Sequence, residues 1–113
     1  LKLVESMAAI GHWRLNLADN KLYLSDETYS IYGLDPSGKA PKLDMALSIY
    51  HPDDRDEVFD ILNSAIKNKT PFNFIKKIVR KDGNIRYVES YGMPEYDTTP
   101  DRQVIGFVGT FQD

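Results

Sequence analysis

Few side chains in this chain could carry catalysis or bind a metal, and those few are widely spaced. Its 113 residues include two histidines, His12 and His51, and no cysteine. Thiolate nucleophiles, disulfide bonds and cysteine metal sites are therefore excluded. A metal site needs several ligands that converge, and no ligand spacing connects His12 with His51. We predict a structural or surface role for both, with helix capping or pairing with a carboxylate as the alternative for His51.

A cluster of carboxylates follows His51 and could bind a metal or act as a general acid. Its members are Asp53, Asp54, Asp56, Glu57 and Asp60. The same pattern is typical of a helix N-terminus, because the helix dipole stabilises negative charge there and proline suits the first turn. We therefore interpret the cluster as the solvated acidic start of a long helix.

The hypothesis of the enzyme class is a small α+β isomerase or hydrolase that uses a buried carboxylate, such as Glu89, together with a tyrosine. Glu89 lies in a hairpin whose strands meet at Asp82-Gly83, which is a strong signal for a tight turn. A two-residue turn there places Lys76 opposite Glu89, so the carboxylate has an ordinary ion-pair partner. We therefore predict that the domain is not an enzyme and has no catalytic residue.

The two-residue turn also determines which side chains share a face of the hairpin. One face carries Phe74, Ile78, Tyr87 and Tyr91, and the other carries Ile75, Val79, Val88 and Ser90. Both faces are thus partly apolar, which a sheet with one solvated side does not need. We predict that the second face is covered, with an N-terminal helix and a partner subunit as the two candidates.

Apolar periodicity and turn residues predict the order helix, two strands, several helices, three strands. The predicted helices are 1–10, ended by Gly11, then 26–32, 43–50, and a long helix that starts at 51–54 and ends at 68–71. The predicted strands are 12–17, 21–25, 72–81, 84–94 and 104–112. Runs of strands beside runs of helices are typical of an α+β fold. We predict a five-stranded antiparallel sheet with short helices and one longer helix on one face.

Composition limits the classes of partner. The chain is 42% hydrophobic and 27% charged, as expected of one ordinary globular domain. Its 14 basic and 17 acidic residues leave a net charge of -3, which predicts no nucleic-acid partner. No apolar run approaches the roughly 18 residues of a membrane span, so we expect no direct membrane contact. We interpret the chain, which begins without Met, as part of a longer protein.

Five short motifs, in this order, resemble those of PAS sensory domains, and in particular the subgroup with a C-terminal PAC motif. They lie at 11–13, 25–36, 51–55, 81–88 and 106–113. The hairpin motif is similar to the family's DG-x-x-RWV, with Tyr87 in place of Trp. The chain departs from the family at Ile75-Lys76-Lys77, where Glu-Tyr-Arg is common. The resemblance implies a PAS/PAC sensory domain over 11–113, preceded by the flanking helix that apolar spacing predicts over 1–10.

The resemblance also implies that a ligand would bind between the sheet and the segment 29–66. Strand alternation, the helix stripe and the family's pocket position select the residues of its wall. They are Trp13, Leu15, Tyr32, Met45, Ile49, Phe59, Leu62, Val88, Ser90 and Phe107. The alternative is that these side chains simply fill a packed core.

The sequence leaves the cofactor unknown, but it bears on two cofactor types of the family, haem and the light-sensing chromophores. A haem-binding member would be expected to carry a proximal histidine on or near the long helix. The segment 53–69 contains none, so we do not expect haem. Light-sensing members use a cysteine to react with flavin or to hold their chromophore. The absence of cysteine excludes cysteinyl-flavin photochemistry in its usual form.

The resemblance implies a sensory or signalling domain of a larger signal-transduction protein, such as a bacterial histidine kinase of a two-component system or a diguanylate cyclase. A small molecule or a partner would shift the sheet, and 104–113 would relay the change to a C-terminal output domain. The parent would be cytoplasmic, or the domain would be the cytoplasmic part of a membrane-anchored sensor.

The alternative function is that of a ligand-free module for dimerisation or protein interaction. The expected assembly is a homodimer formed through the N-terminal helix and the outer sheet face. The sequence leaves open the ligand, the output domain, the oligomeric state, the organism and which sheet face lines the cavity.

Overall fold

The structure is a computed structural model that describes residues 10–36 and 41–113, which form one antiparallel sheet and three helices. The strands are β1 (Ile10–Asn16), β2 (Lys21–Leu24), β3 (Phe72–Val79), β4 (Ile85–Tyr96) and β5 (Val104–Gln112); the helices are α1 (Asp26–Tyr32), α2 (Leu43–Leu47) and α3 (Pro52–Asn68). The five strands have the order β2-β1-β5-β4-β3, so the last strand in the chain is central in the sheet. The predicted α+β class and five-stranded antiparallel sheet are confirmed.

The start of β1 differs from the prediction. The predicted N-terminal helix over 1–10 lies outside the described residues, except that Ile10 is already the first residue of β1. Gly11 does not end a helix but allows α1 to approach the sheet, since a Cβ at Gly11 would lie 2.0 Å from the Thr28 hydroxyl oxygen. That hydroxyl donates a hydrogen bond of 3.0 Å to the carbonyl of His12, which fixes α1 against β1.

Helix α1 has the bounds that its capping residues predict. The Ser25 hydroxyl accepts a hydrogen bond of 3.4 Å from the backbone N–H of Thr28 and caps the N-terminus. Gly33 ends the helix with a φ of +76°, a left-handed conformation that glycine adopts without a steric penalty. Between these caps, α1 buries Ile31 and Tyr32.

Helix α3 begins as the sequence predicts and is fixed to the edge of the sheet. The His51 Nδ1 atom accepts a hydrogen bond of 3.1 Å from the backbone N–H of Asp53, and Pro52 occupies the first turn. The Asp54 carboxylate accepts a hydrogen bond of 2.8 Å from the backbone N–H of Lys77 in β3. His51 therefore caps the helix and also lies 3.6 Å from a carboxylate oxygen of Asp53, and the acidic start of the helix has a structural use.

The β3–β4 hairpin has a different register from the predicted one. Val79 pairs with Ile85, and the backbone N–H of Arg80 donates to the carbonyl of Asn84 at 2.9 Å. Three residues, 81–83, therefore form the loop, with Gly83 at a φ of +88°, as in hairpins that combine a type I turn with a left-handed residue. The predicted two-residue turn is wrong by one residue, and a shift of one residue moves every side chain to the opposite face.

The corrected register changes the predicted pairs and faces. Lys76 is opposite Val88 rather than Glu89, and its ammonium instead forms an ion pair of 2.7 Å with Glu57 of α3. Tyr87 and Tyr91 do not share a face with Phe74 and Ile78, because both tyrosines point away from the core.

The inner face of the sheet, covered by the helices, carries the core. Phe72, Phe74, Ile78, Val88, Phe107 and Phe111 are buried there. Segments next to the helices also cover both sheet edges. The backbone N–H of Leu22 donates to the Pro41 carbonyl, and that of Val79 donates to the Ile49 carbonyl, both at 2.8 Å. Covered edges protect a sheet from pairing with other chains.

The outer face of the sheet is partly apolar, as expected, but its members differ from the predicted ones. Ile75 and Tyr87 are the most exposed of them, at 62% and 66%. The other large apolar side chains of this face are Ile10, Tyr23, Ile85, Tyr91 and Met93. The predicted cover of this face, residues 1–9, is not among the described residues.

Candidate functional site

A cavity of about 50 Å³ lies between the inner face of the sheet and the three helices. Strands β1, β2, β3, β4 and β5 form its floor, while α1, α2 and α3 form its roof. It is lined by Trp13, Leu15, Leu22, Tyr32, Leu43, Ala46, Leu47, Tyr50, Leu62, Ile66, Phe72, Phe74, Ser90, Phe107 and Phe111. None of these side chains is charged, so the lining is mostly apolar with three hydroxyl groups.

Two glycines on neighbouring strands make room for the indole ring at one end of this floor. A Cβ at Gly92 would lie 2.8 Å from the Trp13 ring, and one at Gly109 would lie 2.7 Å from it. The indole N–H donates a hydrogen bond of 3.1 Å to the Thr110 carbonyl. Glycine in a strand often marks such a close approach. The ring is thereby held flat on the sheet beside the cavity.

Aromatic rings continue from Trp13 along the floor of the cavity. Trp13 and Phe72 stack with ring centroids 5.8 Å apart, and Phe72 and Phe74 stack at 5.7 Å. Tyr50 then meets Phe74 edge to face at 5.8 Å. Trp13 is half-buried and Tyr50 is buried, so this row of rings extends from the surface into the core.

Tyr32 and Tyr50 are both buried in the core, and each influences the pKa of the other's hydroxyl group. Burial raises the pKa of both phenols, because a phenolate would lose its hydration. Both side chains are therefore neutral at physiological pH. They can donate and accept hydrogen bonds, but neither can act as a general base there.

A comparison with protein families matches residues 21–111 to the family described as the PAS fold. The match covers most of the chain. The chain belongs to the PAS family. Among curated protein sequences, the comparison finds no match.

Solved structures agree with this assignment at the level of the fold. The N-terminal domain of a diguanylate cyclase with PAS/PAC sensor from Marinobacter aquaeolei has a TM-score of 0.81 and 15% identity, over 92% of this chain and 94% of that one. A sensory box histidine kinase/response regulator from Burkholderia thailandensis E264 has a TM-score of 0.75 and 22% identity, over 99% and 82%. The PAS domain of the fruit-fly ELK potassium channel has a TM-score of 0.77 and 17% identity, over 99% and 92%.

Six of the ten side chains selected from the sequence line the cavity of this PAS domain. They are Trp13, Leu15, Tyr32, Leu62, Ser90 and Phe107. Val88 is fully buried and Ile49 packs against the core, but neither lines the cavity. Met45 and Phe59 are 46% and 50% exposed. Whether any of the ten contacts a ligand stays a prediction.

Of the selected helical residues, Tyr32 and Leu62 line the cavity, whereas Met45 and Phe59 do not. In α2 the inward positions are Leu43, Ala46 and Leu47, at the spacing i, i+3, i+4 of an amphipathic helix. That spacing could have identified Ala46 and Leu47 in place of Met45. Phe72 and Phe74 were missed as wall residues although strand alternation places both on the face of Ser90 once the hairpin register is known.

Several acidic residues outside the cavity of the PAS domain have structural roles or lie exposed. Among residues 10–36 and 41–113, no group of three or more His, Asp or Glu side chains could hold a metal ion. The carboxylates of Asp54 and Glu57 bind β3 at Lys77 and Lys76. Glu89 is exposed on the outer face, so it is not the buried carboxylate that the isomerase or hydrolase hypothesis requires.

At its C-terminal end, the PAS domain joins the last residue of the chain to the hairpin. The Arg86 guanidinium donates a hydrogen bond of 2.6 Å to the Asp113 carboxylate. On the outer face, Arg14 of β1 and Glu95 of β4 form a two-pronged ion pair that spans β5. In the described part of the chain, none of the helices is long and apolar enough to cross a membrane.

Proposed function

We propose that this PAS domain is the sensory part of a larger signal-transduction protein and that it relays a conformational change to a C-terminal output domain. The observation that carries this proposal is the position of β5. Phe107 and Phe111 of this strand line the cavity, while Val108 and Thr110 between them point to the outer face. A central strand of this kind touches both the cavity and whatever covers the outer face.

The route of the signal is proposed from the end of the same strand. Asp113 follows β5 directly, and its ion pair with Arg86 connects the end of the chain to the β3–β4 hairpin. A ligand that binds two arrangements of Phe107 and Phe111 with different affinity would shift their populations. The shift would reach the residues after Asp113 through β5 and through this ion pair.

The parent is proposed to be a bacterial histidine kinase of a two-component system or a diguanylate cyclase, acting in the cytoplasm or as the cytoplasmic part of a membrane-anchored sensor. The similarity to the sensory box histidine kinase/response regulator and to the PAS/PAC diguanylate cyclase supports this class of parent. In either case the domain itself would regulate and not catalyse. The neutral, apolar lining of the cavity supports this division of roles.

A cofactor of the size of flavin or haem does not fit the cavity as it stands. Pockets for drug-sized ligands typically span about 300–1,000 Å³, whereas this cavity measures about 50 Å³. The residues of its wall also include no histidine and no cysteine. We therefore propose that neither group is the ligand of this domain.

A second proposed function is a homodimerisation module that uses the outer face of the sheet and residues 1–10. The exposure of Ile75, Tyr87 and Met93 on that face favours it, since contiguous apolar surface often marks an interaction site. Sedimentation of the chain and of a variant that lacks 1–9 tests this function. A monomer in both cases would contradict it.

The sensory function is tested by filling the cavity in the intact parent. Ala46→Val adds two methyl groups to the roof, and we expect it to lock the output in one state or to remove the response to the cue. Ala18→Val is the matched control, because Ala18 is exposed in the β1–β2 turn. If the folded Ala46→Val parent responds like the wild type, the cavity has no part in signalling.

A further inference from the structure

Three side chains with a hydroxyl group, Tyr32, Tyr50 and Ser90, line the otherwise apolar cavity. Ser90 of β4 pairs with Phe74 of β3 on one side and with Phe111 of β5 on the other. Each phenylalanine ring contacts one tyrosine ring. The ring centroids of Tyr50 and Phe74 are 5.8 Å apart, and those of Tyr32 and Phe111 are 4.7 Å apart. The two tyrosine rings therefore contact the two phenylalanines that flank Ser90 on the floor of the cavity.

The Ser90 hydroxyl is the unusual member of this group. Ser90 is 5% exposed and lines the cavity, yet no hydrogen bond joins its hydroxyl to any of the described residues. Among the described residues, the buried side-chain atom without a hydrogen-bond partner is Arg80 Nε, so the Ser90 oxygen is not enclosed but open to the cavity. A hydroxyl that is open to the cavity and makes no hydrogen bond with the described residues can bind a hydrogen-bonding molecule there.

The size and the charge of the cavity limit what this molecule can be. Its volume of about 50 Å³ is about a third of the roughly 150 Å³ of an engineered cavity that binds benzene. By this scaling from the six carbon atoms of benzene, the cavity has room for about two or three non-hydrogen atoms. The described residues that line the cavity include no charged side chain, and an ion would lose its hydration without compensation.

We propose that the cavity selects a small, uncharged and mostly apolar molecule with one hydrogen-bonding group, and that Ser90 determines this selectivity. The hydrogen-bonding group binds the Ser90 hydroxyl, while the apolar part contacts the aromatic floor. This inference rests on the proposed sensory function for its biological meaning, but the binding chemistry can be measured on the chain alone.

The test uses four probes of similar size and different chemistry: ethanol, acetate, ethylammonium and xenon. Binding is followed by the methyl NMR shifts of Ala46, Leu47 and Leu62, which line the cavity. Given the upper limit of binding free energy per ligand atom, we expect dissociation constants of about 1 mM or weaker. Ethanol and xenon should change the NMR shifts of these methyl groups in a saturable way. Acetate and ethylammonium should not change them.

The variants separate selectivity from simple access. Ser90→Ala should weaken ethanol binding by about two- to tenfold, the usual value of one hydrogen bond, and leave xenon binding unchanged. Ser64→Ala makes the same chemical change at an exposed position of α3 and should change neither. Ala46→Val should weaken the binding of both probes, because it fills the cavity.

Three results would overturn the proposal: ethanol binding that is equal in wild type and Ser90→Ala, binding of acetate or ethylammonium as tight as that of ethanol, or no saturable shift with any probe. Its failure is distinct from that of the sensory function. A parent whose output changes with Ala46→Val although ethanol does not bind would retain the sensory function and lose this ligand class. If the chain binds ethanol through Ser90 but the output of the parent is unaffected by Ala46→Val, the ligand class is retained and the sensory function is lost.

Discussion

The cavity should lower the stability of the domain, and filling it should restore part of that loss. In mutational series, an empty cavity costs about 24 cal/mol per Å³. For a volume of about 50 Å³, this corresponds to about 1.2 kcal/mol of unfolding free energy. Ala46→Val places two methyl groups in this space and loses about 0.5 kcal/mol of helix propensity in α2. We therefore expect a net stabilisation of about 0.7 kcal/mol.

Equilibrium unfolding in urea, followed by the fluorescence of Trp13, measures this change. The chain has one Trp, and it lies next to the cavity, so its signal reports the region that is altered. The midpoint should rise while the slope of free energy against urea stays constant, since the surface exposed on unfolding is almost unchanged. A gain of about 0.7 kcal/mol corresponds to a melting temperature about 3–4 °C higher for a domain near 100 residues.

The matched control is Ala65→Val, the same substitution at another buried helical alanine. Ala65 is 3% exposed but does not line the cavity. Overpacking a filled site usually costs about 1–3 kcal/mol, so this variant should be less stable than the wild type. If Ala46→Val is destabilised as much as Ala65→Val, the space beside Ala46 is not available to a side chain and the reasoning is refuted.

Three further changes have expected outcomes. Gly83→Ala should lower the unfolding free energy by about 1–2 kcal/mol, because Gly83 has a φ of +88°. The cause is the backbone conformation alone, since nothing lies within 4 Å of an added Cβ. Asparagine tolerates this conformation, so Gly83→Asn should lower the unfolding free energy less, and an equal loss in both variants would contradict this explanation. Gly109→Ala should prevent the native sheet, because its Cβ would lie 1.8 Å from the Tyr91 carbonyl oxygen; a circular dichroism melt like that of the wild type would refute this. Stability should also fall as the pH rises above about 10, which is the pKa of tyrosine in unfolded chains. Burial raises the pKa of Tyr50 and Tyr32 in the folded state. Above pH 10 the folded state therefore retains protons that the unfolded state loses, and this favours unfolding. Urea titrations at pH 8 and pH 11 should show a smaller loss in Tyr50→Phe than in the wild type, and an equal loss would contradict the assignment to this pair.

The elements whose ends carry their own signals were predictable from the sequence. Helix α1 begins after Ser25 and ends at Gly33, and α3 begins after His51, because capping groups and a left-handed glycine act within one turn of the chain. The α+β class and the five antiparallel strands followed from the order of such elements. Membership of the PAS family agreed with the motifs that resembled it.

The features that depend on distant residues were decided only by the tertiary structure. Asp82-Gly83 indicates a hairpin, but only the pairing of Val79 with Ile85 shows that three residues form the loop. This one-residue difference moved Tyr87 and Glu89 to the outer face and gave Lys76 its partner on α3.

The cavity has the same dependence on tertiary structure. Strand alternation alone could place Leu15, Ser90 and Phe107 on one face, since side chains of a strand repeat every two residues. Which residues of α2 and α3 lie above that face depends on how each helix is rotated against the sheet, and this placed Ala46 at the cavity and left Met45 and Phe59 half-exposed. Local sequence thus determined the elements and their caps, whereas the space between them was decided by packing among side chains far apart in the chain.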